Sequence, residues 1–223
     1  MKIDIYQDTV CPWCRIGKQH LKTALVRWQS DPARRAENES TIITYHPFFL
    51  DPDIPPEGLP FKPYMQAKGG GLRLPAEWFA GPRDAGARVG IIFDFEAIDH
   101  APNTLLSHEL IALTPLAKTE AIIDAVYTAY FEHGRNIGDL DVLVAIAEEN
   151  GLDATTIRSQ LENHVVRDQV LREIDEAISL GITGVPFFVI NDRYAFSGAQ
   201  PAESIVRLFN QVKALEDKAT KPA

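Results

Sequence analysis

The chain has 223 residues, 45% of them hydrophobic, and a formal net charge of -9 at pH 7. Such a length carries one large domain, or a small domain with a second lobe, and supplies ample apolar material for a core. The acidic surplus argues against a nucleic-acid backbone or an anionic membrane as main partner, because both attract basic surfaces. No stretch of about 18 consecutive apolar residues that would span a bilayer occurs.

Residues 1–8 alternate apolar and polar (Met1-Lys2-Ile3-Asp4-Ile5-Tyr6-Gln7-Asp8) and predict a strand. They show no basic n-region, apolar h-region or cleavage site, so a cytoplasmic protein is expected. Cys11-Pro12-Trp13-Cys14 then leads into a helix whose apolar face holds Ile16, Leu21 and Leu25. Pro12 falls in its first turn, where a fixed φ and a missing N–H do no harm. A polar stretch from Ser30 to Ser40 ends this helix, and residues 41–48 predict a second strand. The order is β-α-β.

From Asp51 a loop rich in proline and glycine (Pro52, Pro55, Pro56, Gly58, Pro60) opens a long helical section reaching about His164. Three apolar stripes mark helices in it: Leu105, Leu106, Leu110, Ile111 and Leu113; Ile122, Ile123, Val126, Tyr127 and Tyr130, ended by Gly134; and Leu140, Leu143, Val144, Ile146 and Ala147, with Gly151 as C-cap. A further helix carrying Val170, Leu171, Ile174, Ala177 and Ile178 stops at Gly181. Residues 184–190 read as a buried strand, Asn191-Asp192-Arg193 as a turn, 194–197 as the returning strand and 201–215 as a closing helix. Two halves, β-α-β and β-β-α, with helices between them are the parts of an α/β thioredoxin-like fold. The expected division is a thioredoxin-like domain at 1–50 and 165–216, an inserted helical lobe at 51–164 that caps the active-site face, and a tail at 217–223.

Two cysteines are too few for a disulfide scaffold, and their Cys-x-x-Cys spacing points to redox chemistry or metal. Residues three apart at a helix start share a face, about 5 to 6 Å between Cβ atoms, close to what a disulfide requires. With Cys11 capping the helix, unpaired amides and the positive end of the dipole favour its thiolate, which makes it the nucleophile. Cys14, one turn deeper, resolves the mixed disulfide. A closed zinc site needs four ligands, whereas His20, His46, His100, His108, His133 and His164 are scattered with no His-x-x-x-His pair, so no metal is expected.

Gly184-Val185-Pro186 precedes the buried strand. A cis proline there would present the backbone groups of Val185 to an extended substrate. Trp13 either contacts substrate or packs on the lobe, Asp8 either tunes the thiolate or ends the strand, and His46 either shuttles a proton or serves structure. Asn103 is expected to cap a helix. Phe48, Phe49, Tyr64, Trp78, Phe79, Phe93 and Phe95 are core residues or the wall of an apolar groove.

Residues 8–17 (Asp-Thr-Val-Cys-Pro-Trp-Cys-Arg-Ile-Gly), Pro102-Asn103-Thr104 with His108, and residues 181–189 through Ser197-Gly198-Ala199-Gln200 resemble the FrnE-like branch of the DsbA family. The resemblance implies a DsbA-type thioredoxin fold, a nucleophilic Cys11, a resolving Cys14 and a cis Val185-Pro186 bond facing them. Some members carry further cysteines; this chain has none, so a disulfide relay within it is ruled out. Kappa-class glutathione transferases and 2-hydroxychromene-2-carboxylate isomerases resemble it in the insertion and the Val-Pro element but typically hold serine where Cys11 stands. The expectation is a thiol–disulfide oxidoreductase acting on protein or small thiol substrates, with no tightly bound cofactor, a redox-active Cys11–Cys14 pair, glutathione as a candidate co-substrate, and a monomeric or homodimeric state. Substrate contacts fall on Pro12, Trp13, Val185 and Pro186. The alternatives are a glutathione-dependent transferase or isomerase at the same cleft, and a peptide-binding holdase needing no cysteine turnover.

Overall fold

A computed structural model of the chain describes residues 1–30, 41–69 and 75–219. The polar stretch expected to close the first helix lies, beyond Ser30, outside the described residues. Strand β1 (Lys2–Gln7), helix α1 (Pro12–Gln29) and strand β2 (Ile42–Pro47) form the expected β-α-β unit, with β1 and β2 parallel from Lys2↔Ile42 to Gln7↔Pro47. Near the other end, β5 (Phe187–Ile190) and β6 (Tyr194–Ser197) are antiparallel, and α9 (Ala202–Ala219) follows them. β5 also pairs antiparallel with β1, which gives one sheet in the order β2-β1-β5-β6. The β5–β6 turn works because Asn191 and Asp192, at φ of +50° and +55°, are residue types that tolerate the left-handed region.

Alternation along β1 sorts its side chains. Ile3 and Ile5 face α1 and α9, where they pack with Leu21, Leu25, Trp28, Phe188, Ile205 and Phe209. Tyr6 packs on the opposite face with Phe48, Ala177 and Ile182, beneath α8 (Arg167–Ser179). This is the thioredoxin fold, its sheet covered on both faces.

Between the halves run β3 (Leu59–Pro60), α2 (Phe61–Lys68), α3 (Pro75–Ala87), β4 (His100–Ala101), α4 (Leu105–Leu113), α5 (Leu116–Phe131), α6 (Leu140–Glu149) and α7 (Ala154–Glu162). The three apolar stripes correspond to α4, α5 and α6. Gly134 and Gly151 follow the ends of α5 and α6 at φ of +61° and +73°. At Gly134 any side chain is barred outright, since a Cβ would lie 2.1 Å from the Ala97 carbonyl oxygen. The inserted elements share a large core in which Phe79 stacks on Phe95 at 4.2 Å and Phe93 meets Phe131 edge-on at 5.2 Å. A fully buried aromatic such as Phe131 contributes about 1.5–3 kcal/mol through burial, so this core is substantial. Cys11, Cys14 and Ile16 belong to that core, which fastens the start of α1 to the lobe.

One boundary differs from expectation. Residues 217–219, read as tail, are the last turn of α9, supported by the i,i+4 ion pair between Lys213 and Asp217 at 2.8 Å; residues 220–223 lie outside the described residues. Among the described residues, no helix is long and apolar enough to cross a membrane.

Candidate active site

The start of α1 is built from its own backbone. The Asp8 carbonyl at the end of β1 accepts from Cys11 N–H at 3.1 Å, which turns the chain. Cys11 then sits in the N-cap position with extended dihedrals (φ -94°, ψ 109°), and its Sγ accepts from Cys14 N–H at 3.3 Å. The sulfur occupies the place usually taken by a serine or aspartate oxygen, against an amide left unpaired by the helix. Pro12 is at the first helical position.

The two cysteines are free thiols and nearly inaccessible, at 3% and 2% exposure. Burial pushes the Cys14 thiol well up, and the hydrogen bond with Cys11 pushes the same way. One sulfur therefore rests on the positive end of a helix while its neighbour is held protonated.

The second motif meets the first. Val185-Pro186 is a cis peptide bond. The Val185 carbonyl oxygen lies 3.7 Å from the Cys11 sulfur, across 174 residues of sequence. The Pro186 carbonyl accepts from Gly198 N–H at 2.8 Å, which binds in the segment after β6. Gly17, one turn along α1, permits this approach: a Cβ there would sit 3.0 Å from Pro186 Cγ and 3.3 Å from Phe188 Cζ. Its sequence neighbourhood contributes to the family resemblance, but no spacing rule assigns Gly17 a task.

Charged side chains lock α1 to α5. Arg15 bonds the Glu132 carboxylate and donates to Thr128 Oγ1 at 3.0 Å, and Lys18 reaches Asp124 at 2.6 Å. Beside Pro12 and Trp13 lies a cavity of about 270 Å³ whose wall includes Phe61, Tyr64, Trp78, Phe79 and Phe95. Trp13 itself is 40% exposed at its rim. Of the aromatics singled out from sequence, Phe48 is buried under α8 and Phe93 in the lobe core, whereas Tyr64, Trp78, Phe79 and Phe95 form the groove wall.

Below the cysteines is a buried polar layer. Asp8 Oδ2 accepts from Leu50 N–H at 2.8 Å, and Asp8 Oδ1 is 3.4 Å from His108 Nε2. Thr9 and Ser107 share a hydroxyl hydrogen bond of 2.8 Å, and Tyr127 donates to the Gln7 side chain and to the Asp8 carbonyl. Asn103 accepts from Leu105 N–H at 3.0 Å at the start of α4 and ties the loop at Ile54 down with its amide. His46 is placed elsewhere. It bonds Asp4 at 3.0 Å, approaches Glu173 at 3.9 Å and stacks on Tyr6, on the face covered by α8. Its partners are carboxylates, not either sulfur. Among the described residues no group of three or more His, Cys, Asp or Glu could hold a metal ion.

Residues 2–210 match the family model described as DSBA-like thioredoxin domain. A probable DsbA oxidoreductase from Streptomyces coelicolor is 30% identical, superimposes with a TM-score of 0.85, and the match covers 100% of this chain and 92% of that one. The uncharacterized protein YwbO of Bacillus subtilis is 28% identical over 196 residues, 85% of this chain and 86% of its own length. The cytosolic disulfide reductase DsbM from Pseudomonas aeruginosa, solved with GSH, shares the fold at 16% identity and a TM-score of 0.64, covering 96% of this chain and 100% of that one.

Proposed function

Because the chain belongs to the DSBA-like thioredoxin domain family, we propose that it is a thiol–disulfide oxidoreductase working through Cys11 and Cys14. The observation that carries this reading is the asymmetry of the pair. Cys11 Sγ accepts an amide hydrogen bond at the helix start and lies beside the Val185 carbonyl, while the Cys14 thiol, one turn behind, is pushed well up by burial.

In the forward exchange the Cys11 thiolate attacks one sulfur of a substrate disulfide and displaces the other as a thiolate. Cys14 then loses its proton and attacks Cys11 Sγ, forming the Cys11–Cys14 disulfide and releasing the second substrate sulfur. Every step is reversible, and the potential of the pair relative to its surroundings sets the direction. Pro12 and Trp13 on one side and Val185 and Pro186 on the other bracket the sulfur and supply the substrate contacts. An extended chain docks against the Val185 backbone, and the aromatic-walled cavity takes an apolar side chain. Glutathione is the small thiol partner to test first, since the P. aeruginosa reductase that shares this fold was solved with it. The protein acts without a tightly bound cofactor, in the cytoplasm.

Equilibration across a series of glutathione redox buffers, read by alkylation and mass, tests the reading. A reversible two-electron transition confined to Cys11 and Cys14 is the expected result. Cys14→Ser should accumulate a covalent Cys11 adduct with glutathione or a client. A pair that forms no disulfide at any poise would sink the oxidoreductase reading and favour the glutathione-dependent transferase or isomerase.

A further inference from the structure

The sheet ends on one side at β2, which pairs with β1 and with no other strand among the described residues. Ile42 N–H donates to the Met1 carbonyl at 2.9 Å. In a parallel ladder, residues bonded to the neighbouring strand alternate with residues whose N–H and C=O point away from it. By the observed register Ile42, Thr44 and His46 bond β1, and the backbone groups of Thr41, Ile43 and Tyr45 face outward. Such an edge is a template for another strand, and folded proteins usually protect it by shortness, charge or proline. The opposite edge, β6, has four residues; β2 has six, and Thr41-Ile42-Ile43-Thr44-Tyr45 contains neither a charge nor a proline.

The edge opens into a cavity of about 550 Å³ that runs along β2 from Thr41 to Pro47. Its far wall is the end of α4 and the start of α5, with Ile111, Thr114 and Leu116. Ile42 is 59% exposed and Leu116 76%, so apolar side chains lie open on both walls. Thr41 Oγ1 is shut off from water with no hydrogen-bond partner among the described residues, and a buried hydroxyl calls for one. The groove is about 20 Å long, the reach of a six-residue strand.

Charge says what kind of strand fits. Glu120 and Glu173 line the cavity, and no lysine or arginine among the described residues does. Glu173 is 3.9 Å from His46. Glu120 lies 3.3 Å from Lys18 and 3.9 Å from Lys22, but both lysines stand in the groove on the other face of β2, and Lys18 meets Asp124 more closely, at 2.6 Å. We propose that the outer edge of β2 is a second binding site, which takes an extended, basic segment of a protein partner as a fifth strand of the sheet. Main-chain hydrogen bonds to Thr41, Ile43 and Tyr45 hold the segment, Ile42 and Leu116 contact its apolar side chains, and the two carboxylates select its charge. A second copy of this chain suits the edge less well, since it brings a net charge of -9 toward those carboxylates. The site goes beyond the exchange chemistry: Val185 precedes β5, on the other side of β1, so a segment at β2 does not compete with one at Cys11.

Amide hydrogen exchange with a synthetic probe tests the proposal. The probe is an alternating Val-Thr peptide with a lysine at each end, at about 1 mM; its twin has glutamates at the ends. In free protein the Ile43 and Tyr45 amides should exchange fast and the Thr44 amide slowly. The lysine peptide should slow the first two, and the glutamate twin should bind about fivefold more weakly or worse. Ile43→Pro removes one outward N–H and spares the β1 ladder, a place where an edge strand tolerates proline, and should weaken binding about fivefold. Thr41→Pro makes the same deletion at the strand's start, and the wild-type exchange pattern stands whether or not either variant folds. Exchange indifferent to the lysine peptide, or equal binding of the two peptides, overturns the proposal. So does protection of the same amides without peptide in a protein of doubled mass, which gives the edge to a second copy. The double variant Cys11→Ser, Cys14→Ser should bind the peptide as wild type does, and loss of binding there would place the peptide at the cysteines instead. If wild-type protein forms no disulfide, the redox reading fails and this binding remains; if the disulfide forms and the edge amides ignore the peptide, only this inference fails.

Discussion

Gly17 has no side chain, and the active-site helix can lie against Pro186 and Phe188 for that reason. Replacing it with alanine sets two effects against each other. Helix propensity gains about 0.5–1 kcal/mol. Against this, the new Cβ at 3.0 Å from one ring and 3.3 Å from another forces displacement in a packed region, at about 1–3 kcal/mol. The steric cost outweighs the gain in propensity, so Gly17→Ala should lower the urea midpoint and speed alkylation of Cys11 as the Val185 carbonyl draws away. Tyr127→Phe should cost about 1–3 kcal/mol by leaving the Gln7 side-chain oxygen buried without its donor, read from the same denaturation curves. At this scale Cys11, Cys14, Val185 and Pro186 are legible in the sequence because their residue types at their spacings carry chemistry. The contacts of Gly17 and Tyr127 are not, because each is made with a distant segment and leaves no local pattern. Asp8 reads as an open choice between tuning the thiolate and ending the strand; in the structure its carboxylate accepts from Leu50 N–H and lies 3.4 Å from His108.

Helix α6 starts where Asp139 accepts from Asp141 N–H at 2.8 Å and Val142 N–H at 3.1 Å. An N-cap of this kind is worth about 1 kcal/mol, so Asp139→Ala should lower thermal stability by a few degrees while leaving the redox midpoint where it was. The midpoint is the control, because α6 does not supply a site residue. Elements with long apolar stripes and glycine ends, α4, α5, α6 and α8, can be read directly. The β3–β4 ladder pairs only Leu59 with Ala101 and Pro60 with His100, too short for any alternation to show. Helix α3 contains Pro82, a residue that argues against helix in any reading by pattern. The end of α9 escapes such a reading because its last turn is charged and held by an ion pair rather than by apolar packing.

At the level of the whole molecule, the sheet is tied to α8 by a charge cluster that gives stability a pH signature. Burial opposes charge on His46, but the carboxylates of Glu173 and Asp4 outweigh it, and its pKa is raised above 6.5. Glu173, beside His46, is held below 4.5. A raised histidine stabilises the fold fully below its unfolded value and loses that contribution as pH rises through the folded value; a lowered carboxylate stabilises above its unfolded value and loses that as pH falls. The two overlap between about pH 5 and 6.5. Wild-type protein should therefore gain unfolding midpoint over His46→Gln in that window and lose the advantage progressively as pH rises above it, in melts of the two proteins side by side; a constant difference at every pH would refute the cluster's role. Cys11 and Cys14 are joined by sequence to the sheet half and by packing to the core of the inserted lobe. The pair consequently doubles as a gauge of how firmly the two halves grip each other. In resting protein the labelling rate of Cys14 counts how often they part, so a substitution that loosens the lobe, however far from the sulfurs, should first announce itself as a thiol that has become too easy to reach.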